Sequence, residues 1–156
     1  MSRIIKLAFL VLLVLPNLVV NASNPDSPIK KFDEFGDINC NDEYARLDNF
    51  AVQLQNEPQA SGIIIFYGGK AFRGRLPKRG EAEARAARLK PYLIDRRGIP
   101  SARITVINGG YADKWRAELW VVPAGANNPT PSPAVPAAKI KFGKGKVTSR
   151  TYRCEI

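Results

Sequence analysis

The chain has 156 residues, enough for one domain with a real core plus appendages, and a net charge of +10 from 24 Lys and Arg against 14 Asp and Glu. It contains no histidine and two cysteines. This excludes serine and cysteine triads built on an imidazole base, and it removes the commonest metal ligand.

Residues 1–22 read as a secretory signal: Arg3 and Lys6 give a positive start, Leu7 to Leu15 is apolar, and Val20-Asn21-Ala22 supplies small residues before Ser23. The apolar run is too short for a membrane span, and an uncleaved anchor is the rival reading. Losing Arg3 and Lys6 takes the charge from +10 to +8, still basic. The expected location is therefore exported, in a periplasm or outside the cell. There Cys40 and Cys154 can form a disulfide that ties the tail to the start of the first helix. Closing so long a loop stabilises by about 4–5 kcal/mol in the chain-entropy treatment. With both cysteines paired, no zinc site of familiar spacing remains.

Asn24 to Pro28 is a polar entry segment, and Ile29 to Ile38 predicts a first strand ending in a bend at Gly36-Asp37. Asn41 is the expected N-cap of a helix with Asp42 and Glu43 in its first turn and an apolar face of Tyr44, Leu47, Phe50, Ala51 and Leu54. Pro58 stops it. Gly62 to Tyr67 is apolar throughout, the pattern of a strand buried on both faces, with Gly68-Gly69 expected to end it. Lys70 to Arg79 is a loop with five basic residues and no acid, either a solvated loop or a binding loop held between rigid elements.

Gly80 to Ile107 predicts a helix, a glycine stop at Gly98, a proline connector and a β-branched strand. Ala82, Ala86, Leu89 and Leu93 mark one helix face. Asn108-Gly109-Gly110 then opens a short loop, and Trp115 to Val122 is the last strand, expected to pair with its predecessor as a hairpin. The fold class expected is α+β: a β-α-β-α-β-β two-layer sandwich, a mixed sheet with two helices on one face. Residues 123–138, with five prolines among Ala, Asn, Ser and Thr, read as a loose spacer. Residues 139–156 form a basic tail in which Tyr152, Cys154 and Ile156 alternate as in a short strand.

The stretch around Arg85 resembles the OmpA-like C-terminal domain of bacterial envelopes. That family carries L-S-x-x-R-A-x-x-V-x-x-Y-L on its second helix, followed by G-I-x-x-x-R-I. Here Arg85-Ala86, Leu89 and Tyr92-Leu93 match the helix, and Gly98-Ile99 and Arg103-Ile104 match the connection, while Glu81-Ala82 replaces the L-S pair. Phe32-Asp33-Glu34-Phe35 and the Leu47 to Leu54 helix agree with the family's first elements. The resemblance implies that residues 23–122 are an OmpA-like α/β domain and a non-enzymatic envelope module binding peptidoglycan or another anionic envelope polymer. In the family, an aspartate after the second strand and the arginine of R-A hold the ammonium and carboxylate of diaminopimelate. Arg85 stands at the arginine position, but Lys70 stands at or next to the aspartate, which implies a degenerate site.

Arg85 has a second reading, an exposed ion pair with Glu81 one turn earlier, worth about 0.3–0.5 kcal/mol. The alternative function is a secreted polyanion- or protein-binding module that uses the 70–79 loop and the tail. Few aromatics interleave those charges, and export adds to the case against nucleic acid. No cofactor is expected: Gly68-Gly69-Lys70 lacks the spacing of a phosphate loop.

Overall fold

The computed structural model describes residues 29–147 together with Tyr152 and Cys154. The signal reading of residues 1–22, the entry segment Asn24–Pro28 and the tail position Ile156 lie outside the described residues. The fold is α+β, a four-stranded mixed sheet in the order β1-β4-β2-β3. Its strands are β1 (Lys31–Phe35), β2 (Ser61–Gly69), β3 (Ile104–Ala112) and β4 (Arg116–Val122). Helices α1 (Cys40–Asn56) and α2 (Glu81–Ala86) share one face of this sheet. No helix among the described residues is long and apolar enough to cross a membrane.

β2 alternates between two cores. Ile64 and Phe66 meet Leu47, Phe50 and Leu89 on the helix side, while Ile63, Ile65 and Tyr67 face the other side. A strand apolar on both faces belongs at the centre of a sheet. β2 accordingly has β3 parallel on one flank and β4 antiparallel on the other.

This placement overturns the expected β3–β4 hairpin. Residues 113–115 carry the chain over the end of β2, and β4 pairs with β2 and β1 instead. The glycine pair permits the crossing. A Cβ on Gly69 would lie 2.7 Å from the Trp115 nitrogen, and one on Gly68 would lie 2.7 Å from the Tyr111 ring. Both glycines belong to β2 rather than ending it. β3 likewise runs through Asn108-Gly109-Gly110 to Ala112, with a register shift opposite Phe66 and Gly68.

Other boundaries differ for local reasons. Asn39, not Asn41, caps α1, its side chain accepting from the Asp42 N–H at 3.0 Å. The helix expected across Gly80 to Arg97 is interrupted. α2 ends at Ala86, a helical turn follows at Leu89–Pro91, and a π-helical turn spans Tyr92–Arg96. Pro91 has no N–H for the Ala87 carbonyl and its ring crowds that turn, which accounts for the break. Gly98, at φ 68, closes the segment as expected.

The spacer is docked, not loose. The Ser132 N–H donates to the Tyr67 hydroxyl at 3.1 Å on the helix-free side. The Val135 N–H donates to the Tyr111 carbonyl at 3.0 Å on the free edge of β3, and Val135 is buried. The sheet's second apolar face needs a cover, and a proline-rich segment that requires few hydrogen bonds supplies part of it. The tail forms no strand across residues 139–147. Its one β contact there is an isolated bridge between Gly143 and Lys78.

Candidate functional site

Arg85 projects from α2 into a pocket beneath the C-terminal end of β2, lined by Gly68, Gly69, Phe72, Glu81, Glu83 and Trp115 among others. It is 2% exposed, so the surface pair with Glu81 is not formed. Its Nη2 donates to Asp37 Oδ1 at 2.7 Å, and its guanidinium lies 4.2 Å from the Trp115 ring and 4.6 Å from the Phe72 ring. Burial pulls the Arg85 pKa down, and the Asp37 charge opposes that fall. A guanidinium is a cation throughout the physiological range, and Arg85 remains one in a largely apolar slot.

Among the described residues, Arg85 Nε, Arg85 Nη1 and the indole Nε1 of Trp115, on two residues that line the pocket, are buried donors without a hydrogen-bond partner. A buried donor left unpaired costs about 1–3 kcal/mol, more when charged. Three donors and two aromatic faces around one cation suit a group rich in acceptor oxygens, such as a carboxylate.

Glu81 stands where the resemblance expects a leucine, and it organises the loop. It accepts from Arg75 Nη1 at 3.1 Å and Nη2 at 2.5 Å, from the Lys78 N–H at 2.8 Å, and from the Tyr152 hydroxyl. Burial raises its pKa, but Arg75, Tyr152 and the Lys78 amide together hold it below the usual carboxylate range. Glu83 is exposed at the rim, with one oxygen accepting from Asn108 Nδ2 at 3.0 Å.

Lys70 does not join Arg85. Its Nζ pairs with Asp113 Oδ1 at 2.6 Å on the exposed crossing loop, outside the pocket. Arg73 and Arg75 are also committed, to Asp37 and Glu81. The loop's five cations thus divide, and only Lys78 and Arg79 have no ion-pair partner among the described residues. Lys78 bridges to Gly143, and Arg79 lies 4.5 Å over the Phe142 ring, which brings them beside the basic tail.

Cys40 and Cys154 form the expected disulfide, with Cα atoms 5.7 Å apart. Neither cysteine is free, and no cluster of three or more Cys, Asp or Glu among the described residues is placed to hold a metal ion. Sequence reasoning passed over Asp37, Glu83 and Trp115 as site residues. Asp37 carried only the signal of a bend, and nothing local marks its meeting with Arg85. No model of a known protein family matches the chain, and no curated protein matches it.

Proposed function

We propose that the protein is an exported, non-enzymatic envelope module whose Arg85 pocket receives a carboxylate of a peptidoglycan stem peptide. The carrying observation is the set of three buried, unpartnered donors on Arg85 and Trp115. Arg85 supplies the positive charge, Trp115 and Phe72 flank it, and Asp37 fixes its orientation. Glu83 at the rim supplies the negative charge for an adjacent ammonium, the part that Lys70 cannot play. The OmpA-like resemblance at Arg85-Ala86 points to the same ligand class. Retention on purified sacculi tests the reading. Arg85→Ala, shown folded by circular dichroism, is expected to lose most retention and Glu83→Gln part of it. Equal retention of wild type and Arg85→Ala would remove the mechanism.

A second reading has its own support. The Lys78–Gly143 bridge and the Arg79–Phe142 contact bring the loop beside the tail segment that carries Lys141 and Lys144. This basic surface suits an anionic polymer of the envelope, or an acidic protein partner. Binding through it should fall steeply with salt, whereas the enclosed Arg85 pocket is much less screened.

A further inference from the structure

We propose that two copies of the chain pair through the free edge of β3, antiparallel about Val106, with Glu83 of each copy meeting Lys90 of the other. The pairing does not depend on which ligand enters the Arg85 pocket.

β3 is the last strand of the sheet, so one of its flanks lacks a neighbouring strand. On that flank Val135 bridges to Tyr111 in the antiparallel sense. From Ile104 to Asn108 the edge has no strand partner among the described residues. An edge strand with unpaired N–H and C=O groups is a template for a further strand. The Val135 bridge shows the sense in which this edge accepts one.

Hydrogen bonds alone make a weak contact, and here an apolar surface adjoins them. An open groove of about 510 Å³ runs beside the edge on the helix face. Phe66 and Val106 line it from the sheet, and Ala87, Pro91 and Ile94 line it from the helical segments. About a twofold axis this groove meets its own copy, and one patch serves both sides of the interface.

The charges at the two ends of the groove select a second copy as the occupant. Glu83 stands beside Asn108, accepting from its Nδ2 at 3.0 Å. Lys90 stands beside Ile104, its Nζ donating to the carbonyl at 2.7 Å. Neither has an ion-pair partner among the described residues. The edge is therefore negative at one end and positive at the other. In an antiparallel pair centred on Val106, positions equidistant from it lie opposite each other, so Asn108 faces Ile104 of the second copy. Side chains two apart share a face, which keeps both charged ends on the helix side. Glu83 of each copy then lies over the strand end that carries Lys90 of the other. The chain is complementary to itself along this edge.

Sedimentation and hydrogen exchange of the full chain, disulfide intact, test the pairing. Wild type is expected to dimerise as concentration rises, with exchange slowing at residues 105–108. Lys90→Glu sets acid against acid at both contacts, and Glu83→Lys sets base against base. Each variant alone is expected to lose about tenfold or more in dimer affinity. An equimolar mixture of the two restores opposite charges at both contacts, and a heterodimer is expected to form. A wild type that stays monomeric would overturn the proposal, as would variants that dimerise as well as wild type. So would a mixture that stays monomeric when circular dichroism shows both variants folded. The exchange experiment needs no variant: no slowing at residues 105–108 with wild-type concentration would also overturn it.

Discussion

Asp37 and Arg85 meet at 2.7 Å across 48 positions of sequence, joining the bend after β1 to the buried face of α2. Arg73 donates to the same carboxylate at 2.9 and 3.3 Å, so one acid orients two guanidinium groups. Asp37→Asn is expected to cost about 2–3 kcal/mol, because hydrogen bonds to charged groups are lost around a buried cation. The denaturant midpoint should fall with its slope unchanged.

The pH dependence of that loss has a definite sign. Burial raises the Asp37 pKa, but the hydrogen bond from Arg73 and the charge of Arg85 outweigh it and hold the carboxyl below 3.8. A depressed folded value stabilises above the unfolded pKa and is lost as pH falls through the folded one. The gap between wild type and Asp37→Asn should therefore be full at neutral pH and should close as pH drops below 3.8. A gap independent of pH would show that Asp37 acts by shape alone.

Arg103 closes the far end of α1. It donates to the carbonyls of Leu54, Glu57 and Ala60 at 2.7, 2.8 and 2.9 Å, taking up acceptors in the last turn and cap of α1 and one just before β2. Arg103→Ala should destabilise by about 2–3 kcal/mol, and Arg103→Lys should recover only part, since an ammonium cannot fork across three carbonyls. Thermal melts of the two variants check this.

The Glu43–Arg88 pair is the most deeply buried ion pair holding the tail, with Glu43 1% exposed. Glu43→Ala leaves Arg88 uncompensated and is expected to cost about 3–5 kcal/mol. It should also loosen Tyr152, whose carbonyl depends on Arg88. Urea titration, read beside the exchange of residues 72–86, separates the global from the local effect.

The disulfide closes a separation of 114 residues. Intact mass after alkylation of the unfolded, unreduced protein should show no modified cysteine. Replacing both cysteines with serine should lower stability by about 4–5 kcal/mol in the chain-entropy treatment. Two alkyl groups added without reduction would contradict the bridge.

Elements whose pattern depends on their own residues were legible in the sequence. The apolar run of β2, the Leu47 to Leu54 face of α1 and the Gly98 stop are such cases. The disulfide was legible because an isolated cysteine pair in a chain that reads as exported leaves few alternatives. Features set by tertiary approach were not. The β3–β4 hairpin failed because strand adjacency depends on which strand needs two neighbours, and β2 needs both. The Glu81–Arg85 pair failed because helical spacing places the two residues together but does not say that this face is buried. Asp37, Trp115 and Tyr152 reach Arg85 from three distant segments, and no local pattern announces such a meeting.

Direct observation of the pocket's donors tests the central claim. The chain has two tryptophans, so the Trp115 indole signal is readily assigned beside the Arg85 Nε signal in a proton–nitrogen spectrum. Wild type would be titrated with a soluble stem-peptide fragment bearing a free diamino-acid carboxylate. Saturable shifts of both signals are expected. If both signals stay fixed at every ligand level, the Arg85 pocket is not a carboxylate site.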